Sequence, residues 1–378
     1  MIRQPMQDTK EIDISKVYKD VIIIGHTGKL RFSLKSKIQD SSIELWYYNK
    51  CGQQPAAIKL ARFIPLNEST LIAFGLIQAE CGKSELKEFS FSNSNPELIL
   101  LIIDYFENTW RIPRNFWSCS LYLDKDKIDN DSKELIKNFW VGHLSLNNDQ
   151  IKVYISTKKS KSVYGNIQIR IYSKVFLGVV LYFLNKIIRP LVENDLELSK
   201  YYLRGLLSGD GFVCTTDGKI SCFGVSFDPY SNEKNHYEII FKNLGILPNK
   251  SSLKENSKQL AFTNWGKYCK LLQSTNLQPF IEKEKNIRFF RGLVKHPYAK
   301  RLLKLKELFE TKTFITVNDY QKVLYTSNRN ANRNLVKFVN LDILERIRKG
   351  RKDFYHLTEN GKNLFGILDG IGGDKFEK

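Results

Sequence analysis

The sequence lacks both a long apolar run and a recognisable export signal. Its longest apolar stretch, from Val175 to Ile188, contains Asn185 and Lys186 and lies between Lys174 and Arg189. A bilayer-spanning helix needs about 20 predominantly apolar residues, so this stretch predicts a buried helix. The first residues, MIRQPMQDTKEIDI, hold no apolar core of the kind that a signal peptide requires. We therefore expect no membrane insertion and a reducing intracellular location, cytoplasmic or organellar.

Metal-ligand motifs built on cysteine and histidine are missing as well. The six cysteines are widely spaced with no C-x-x-C pair, and the five histidines form no H-x-x-x-H pair. This spacing argues against a zinc ribbon, and a disulfide scaffold does not suit a chain of this length without a secretion signal. The cysteines are expected to be scattered core thiols.

A phosphate-binding loop is also absent, although VIIIGHTGKL resembles one at first sight. Gly25 and Gly28 are two residues too close for that loop, and Lys29 is followed by leucine rather than serine or threonine. The segment predicts a hairpin turn instead.

Basic residues are in clear excess. The 378 residues include 59 Lys+Arg and 40 Asp+Glu, a formal net charge of +19, and 42% are hydrophobic. Length and composition are those of a folded chain of two or three domains. Such a charge predicts a polyanionic partner, nucleic acid first and a membrane surface second.

Hydrophobic patterning divides the chain. Alternating residues and aromatics over residues 1–65 predict a small β-rich module without assigned chemistry. Residues 66–190 and 191–282 each predict a helix, two strands, a helix, two strands and a helix, with one extra helix in the first half. Hairpins are expected at IKVYIST/NIQIRIYS, at Asp217-Gly218 and in SSLKENSKQLAFT. The two halves therefore form an internal repeat with an offset of about 130 residues.

Two matching helices begin these halves. AFGLIQAEC (Ala73 to Cys81) and LRGLLSGDG (Leu203 to Gly211) are apolar and have small residues four positions apart. Helices with such spacing can approach backbone to backbone. The small residues are Gly75 with Ala79, and Gly205 with Gly209.

Each of these helices ends in an acid, Glu80 or Asp210. A carboxylate at a helix C-terminus is unfavourable, and two of them brought together repel each other. A cation would offset both costs, and hard oxygen ligands suit Mg²⁺, with Mn²⁺ as an alternative ion.

Both segments resemble the LAGLIDADG motif of the LAGLIDADG homing endonucleases, and the order of elements is similar to that family's subdomain. The resemblance covers roughly residues 66–280. LRGLLSGDG matches closely, whereas AFGLIQAEC has glutamate at the acid position and cysteine in place of the final glycine.

The resemblance implies an α+β monomer with two pseudo-symmetric αββαββα subdomains about a twofold axis. The motif helices would form the interface between the halves, and two antiparallel sheets would straddle the major groove of double-stranded DNA. Glu80 and Asp210 would hold divalent metals, assisted by the carbonyls of Ala79 and Gly209, and a staggered double-strand break would follow. The alternative is that these helices merely pack together and that their acids are ordinary helix ends.

The family also places a basic residue near each metal, at the end of a subdomain's last strand. Lys174 occupies that place in the first half, and its alternative role is a solvated helix start. The second half has Asn264 there, unless Lys258 or Lys267 substitutes. DNA contacts are expected from Lys158, Lys159, Lys161 and Arg170, although a solvated hairpin tip would look the same.

The last segment, residues 290–378, looks like a winged helix-turn-helix. Residues 291–378 hold 19 Lys+Arg and 10 Asp+Glu. Its third helix offers Arg329, Asn330, Asn332, Arg333 and Lys337 to base edges or phosphates. The predicted wing tip carries Arg348, Lys349, Arg351 and Lys352. A winged helix used for protein contact is the alternative, and its charge argues against it.

The sequence as a whole predicts a monomeric, metal-dependent, site-specific DNA endonuclease, free-standing or intron-encoded. Two alternatives stay open. One is a catalytically inactive transcription regulator of the same fold, and the other is an intron RNA splicing cofactor that does not need both acids.

Overall fold

The computed structural model is an α+β protein, as the sequence predicts, and its contacts divide it into two units, residues 1–210 and 211–378. It describes residues 10–16, 20–25, 28–33, 35–47, 57–81, 88–127, 130–157, 162–229, 231–253, 257–276 and 278–372. The division falls after Asp210, whereas the sequence suggested a boundary near residue 190.

Short strands make up the N-terminal part, as predicted. Their bounds are β1 (Glu11–Asp13), β2 (Asp20–Gly25), β3 (Gly28–Ser33), β4 (Lys35–Ile38), β5 (Ser42–Trp46), β6 (Ile58–Ala61) and β7 (Phe63–Pro65). The predicted hairpin is confirmed, because β2 pairs with β3 and Gly25 lies opposite Gly28. Strands β4, β5 and β6 form one sheet, and β1 pairs with β7. Arg62 donates to both carboxylate oxygens of Asp13 across the β1–β7 pair, which holds the pKa of that carboxyl well below its usual range.

The rest of the first unit alternates helices and strands. The elements are α1 (Glu68–Glu80), β8 (Phe89–Asn93), α2 (Pro96–Trp110), β9 (Ser118–Asp124), α3 (Asn130–Leu144), β10 (Ile151–Ser156), β11 (Asn166–Ile171), α4 (Lys174–Tyr182), α5 (Arg189–Asn194) and α6 (Leu196–Gly209). Helix α1 is buried from Thr70 to Gln78, which explains why it is apolar on every side. Phe74 on α1 packs on Tyr105, Trp110 and Phe183 in an aromatic core.

The first sheet has the strand order β10-β9-β11-β8. The sequence predicted that β10 and β11 form a hairpin, and this is wrong because β9 lies between them. Strand β10 runs parallel to β9, while β11 is antiparallel to β9 and β8. Local patterns predict each strand, but long-range pairing decides its neighbours.

The predicted apolar helix is longer than expected. Helices α4 and α5 join through a π-helical turn, Phe183–Ile188, into one helix from Lys174 to Asn194. By length and composition it could cross a membrane, yet 61% of its most apolar window is buried within the fold. Burial of this kind is what the sequence predicted for Val175 to Ile188.

The second unit starts with the sheet β12-β13-β14. Its elements are β12 (Gly211–Thr216), β13 (Lys219–Ser226), α7 (Glu233–Asn243), β14 (Gln259–Phe262), α8 (Trp265–Ser274) and α9 (Lys283–Val294). The hairpin at Asp217-Gly218 is confirmed. The second predicted hairpin is not found in the described part of this segment, where Lys250–Leu253 is a 3-10 turn and β14 pairs with β13.

The C-terminal segment combines four helices with a two-stranded sheet. These are α10 (Pro297–Thr311), α11 (Val317–Leu324), α12 (Asn328–Asn340), β15 (Leu344–Lys349), β16 (Lys352–Leu357) and a last helix, α13 (Glu359–Gly372). Ile315, between α10 and α11, exchanges two backbone hydrogen bonds with Tyr355 of β16. The segment docks on α8, where the rings of Trp265 and His296 stack at 5.2 Å and Gln273 donates to the carbonyl of Leu341.

Thr316 begins α11 with a reciprocal capping box. Its hydroxyl accepts from the Asp319 amide at 3.4 Å, while the Asp319 carboxylate accepts from the Thr316 amide at 2.8 Å. We expect Thr316→Ala to lower the free energy of unfolding by about 1 kcal/mol, as other N-cap losses do. Urea denaturation measures this, with the exposed loop residue Thr313→Ala as the control. Equal stability of the two variants would show that the cap contributes nothing.

Candidate metal centre and nucleic-acid interface

Helices α1 and α6 touch backbone to backbone at a pair of glycines. A Cβ built on Gly75 would lie 2.8 Å from the Leu206 nitrogen and 3.0 Å from the Gly205 Cα. A Cβ built on Gly205 would lie 3.0 Å from the Leu76 nitrogen. These contacts are reciprocal: Gly75 meets Leu206, and Gly205, 130 positions later, meets Leu76, 130 positions before Leu206. Reciprocal contacts of this kind are expected of a self-complementary interface between two twofold-related helices. The predicted approach of the motif helices is therefore present within the first unit.

The acids at the two helix ends are also 130 positions apart. Glu80 is the last residue of α1, and Asp210 caps α6, 130 positions later. A Cβ on Gly209 would collide with the Ala79 Cβ and lie 3.7 Å from Oε1 of Glu80. The Glu80 carboxylate thus lies beside the backbone that leads into Asp210.

A sheet residue orients the first acid. Asn93, at the end of β8, donates from Nδ2 to Oε1 of Glu80 at 2.9 Å. Cys81 pairs with Phe91 of the same strand, so the chain leaving α1 runs along β8. The amide nitrogen of Asp210 donates to the Leu206 carbonyl at 3.1 Å, which continues the helical pattern up to the second acid.

The donor set suits a hard divalent cation. Carboxylates from Glu80 and Asp210 stand at helix ends, close along the chain to the last-turn carbonyls of Ala79 and Gly209. Over the described ranges, no group of three or more His, Cys, Asp and Glu side chains could hold a metal. Mg²⁺ commonly takes only one or two protein carboxylates and completes its shell with water and substrate phosphates. The residues present therefore fit such an ion.

Lys174 is the first residue of α4 and follows β11 by three positions. Strand β11 pairs with β8 so that Ile167 lies opposite Asn93, which binds Glu80, and Ile171 lies opposite Phe89. A place at the start of a helix is the alternative that the sequence left open, and the role of Lys174 beside the acids stays a prediction.

One face of the first sheet is polar and hydrogen-bonded across strands. Arg170 donates to the hydroxyl of Tyr122 at 3.2 Å and to Gln168, and it forms an ion pair with Glu88 at 3.3 Å. The ring of Tyr122 stacks on that of Tyr154 at 5.6 Å. Arg170 is thus held in place on this face by protein partners. Lys158, Lys159 and Lys161 lie outside the described residues.

The sheet of the second unit presents a different face. Among the positions facing away from its apolar core, Phe212, Cys214, Cys222, Gly224 and Ala261 are uncharged, Ser226 and Gln259 are polar, and Lys219 is an exposed cation. Burial, followed by the neighbouring thiol of Cys214, raises the pKa of Cys222 to about 11, so this thiol stays protonated at neutral pH.

The basic candidates of the second half have local tasks. Asn264 caps α8, where its side chain accepts from the Lys267 amide at 3.1 Å. The Lys267 ammonium donates to Oδ1 of Asn249 at 2.9 Å, and burial lowers its pKa. Lys258 is exposed, just before β14.

Helix α12 presents a polar, basic face to solvent. Arg329, Asn330, Asn332 and Arg333 are all exposed, as predicted. Lys337 is exposed too, but its ammonium is held by the Tyr298 hydroxyl at 2.6 Å, which lowers the pKa of Tyr298.

The turn between β15 and β16 is also basic. Gly350 has φ +63°, a left-handed conformation that glycine adopts without strain. Around it, all four predicted wing-tip side chains are exposed: Arg348, Lys349, Arg351 and Lys352.

Sequence patterns assigned no role to α9, and one cavity lies against it. The cavity has a volume of about 470 Å³, and its lining combines α9 with the β12–β13 turn. Its cationic residues, Arg288, Arg291 and Lys295, recur on one helical face, a spacing that could have been noticed in the sequence.

The glycine contact makes a clear prediction for stability. Gly75→Ala should lower the free energy of unfolding by about 2 kcal/mol or more, since backbone atoms of α6 cannot yield to the new methyl group. Gly142→Ala is the matched control, because a Cβ there meets nothing within 4 Å. That change should stabilise α3 by about 0.5–1 kcal/mol. A Gly75→Ala protein as stable as the wild type in urea would refute the close packing.

Comparison with known proteins adds no assignment to these features. Neither protein-family models nor curated proteins match the sequence. The geometry of the paired helices and the distribution of charge are therefore the basis for a functional conclusion.

Proposed function

We propose that the protein is a site-specific, metal-dependent endonuclease of double-stranded DNA, of the LAGLIDADG type. The observation that carries this proposal is the self-complementary pair α1 and α6, which places two acids 130 residues apart at one end of one interface. Two equivalent acids suit two equivalent cuts, because the strands of DNA are themselves related by a twofold axis.

The residues of the chain have separate tasks in this reaction. Asn93 fixes the rotation of the Glu80 carboxylate, and the glycine contact holds Glu80 and Asp210 in one place without flexible loops. The carboxylates of Glu80 and Asp210 would hold a divalent cation, which would supply a nucleophilic water and neutralise charge on the leaving oxygen. The carbonyls of Ala79 and Gly209 would add neutral donors, so the site would not need a third acid.

Several basic surfaces would hold the DNA. On the first sheet, Arg170 and Gln168 offer hydrogen bonds from a rigid face with stacked tyrosines. We propose that residues 290–378 form a winged helix, with α12 in the major groove and the β15–β16 turn on phosphates. The Ile315–Tyr355 pairing supports this assignment, because it adds a third strand position to the two-stranded wing.

A binding protein without nuclease activity is the second candidate. It is favoured by the local tasks of Asn264 and Lys267 and by the mostly uncharged outer face of the sheet β12-β13-β14, where Lys219 is the exposed cation. Such a regulator would keep both motif helices for packing and use α12 to read DNA.

Cleavage distinguishes the two candidates. Asp210→Asn and Glu80→Gln should each reduce cutting of a randomised plasmid library, with Mg²⁺ or Mn²⁺, by about a thousandfold or more. The reason is that charge stabilisation by a metal contributes several kcal/mol, and each 1.36 kcal/mol is a factor of ten in rate. Asp149→Asn, an exposed acid in the same unit, is the control and should cut normally. Specific binding with no nicking by the wild type would establish the regulator instead.

The recognition helix makes a second prediction. Arg333→Ala should weaken binding to the preferred site by about 1–3 kcal/mol and relax the base preference at one position. Arg351→Ala on the wing should instead weaken binding to all DNA sequences alike. It should also reduce the magnitude of the slope of log K against log salt by about 1. Selection from a random duplex pool, with Lys300→Ala as control, measures both. A wing variant that changes base preference would contradict these assignments.

A further inference from the structure

The cavity on α9 has a one-sided charge. Glu284, Arg288, Arg291 and Lys295 line it from a single helical face, so three cations face one carboxylate. All four side chains are exposed at its rim. Within the described residues, neither the Arg288 nor the Lys295 side chain takes part in an ion pair or hydrogen bond. Two cations without a protein partner, beside a concave surface, leave a favourable place for an anion.

The cavity is firmly built. A Cβ on Gly292 of α9 would lie 2.9 Å from the Ile220 nitrogen, so the helix backbone rests directly on β13. Gly218 has φ +71° at the tip of the β12–β13 hairpin, and a Cβ there would lie 3.1 Å from Nζ of Lys295. The lysine side chain therefore lies across the bare glycine turn, at the rim of the cavity.

The lining also offers groups that suit the uncharged part of a ligand. Ile287 and the two glycines provide apolar surface, and Thr215 adds a hydroxyl. A volume of about 470 Å³ is in the range of small-molecule sites and exceeds the needs of a lone phosphate ion. The matching chemistry is a phosphate joined to an uncharged sugar and base.

We propose that this cavity binds a nucleotide unit of a DNA strand, with its phosphate against Arg288, Arg291 and Lys295 and its sugar over Ile287. The inference rests on the proposed function, because it extends the DNA-binding surface to α9. The same chemistry is offered by a free nucleotide, and the test separates the two sources.

The first arm measures how the affinity for double-stranded DNA depends on salt. Wild type and the double variant Arg288→Gln/Lys295→Gln are titrated with a fluorescent 40-base-pair duplex between about 50 and 200 mM salt. The slope of log K against log salt should fall in magnitude by about 0.9 for each phosphate that the variant no longer neutralises. Lys283→Gln/Lys300→Gln removes the same charge from exposed helix residues outside the cavity, and should change the slope by less than half as much. The charge-preserving variant Arg288→Lys/Lys295→Arg should keep the wild-type slope.

The second arm uses equilibrium dialysis to measure how tightly the same proteins bind radiolabelled dAMP. A slope change confined to the cavity variant identifies the DNA strand as the ligand. Binding of dAMP that the cavity variant loses, with an unchanged DNA slope, supports the site but identifies a free nucleotide as its ligand. If the cavity variant equals the control in both arms, the inference is wrong. Failure of the wild type to bind any duplex would instead overturn the proposed function, and the dAMP arm would still test the cavity.

Discussion

The contact between Gly75 and Gly205 is the constraint on which the first unit depends. Backbone atoms of two helices meet there without intervening side chains, so the crossing point and the register of α1 and α6 are set together. A shift by one residue would bring a large side chain into a space that holds none. The position of Glu80 beside the chain that enters Asp210 is a consequence of this register. Packing therefore places the candidate chemistry, and the acids add cost that a cation would offset.

The two halves differ in the faces of their sheets. The first sheet carries a hydrogen-bonded network of Arg170, Tyr122 and Gln168, and Asn93 orients Glu80. In the second unit, the outward positions of the sheet are mostly small or apolar with Lys219 as an exposed cation, and Asn264 and Lys267 are used for helix capping and a local hydrogen bond. Under the proposed function, the two sheets would contact DNA unequally.

The second unit also carries exposed basic side chains outside this sheet. Its C-terminal segment is docked on α8 through the stacked rings of Trp265 and His296, which keeps α12 and the β15–β16 turn in a defined orientation to that helix. Exposed basic side chains lie on α12, on the turn and around the cavity at α9. Under the proposed function, these side chains would contact phosphates, and their contribution to binding would weaken as salt rises.

Local sequence patterns were enough to predict much of the fold and of the candidate site. Spacing of small residues along the chain predicted the helix contact and both acids, and short-range patterns predicted α12 and the turn at Gly350, because helix faces and turns depend on near neighbours. Two features needed the tertiary structure: the insertion of β9 between β10 and β11, and the cavity at α9. Each depends on which distant strand or turn lies alongside, and strand order is decided by pairing between segments far apart in the chain, which no local pattern records.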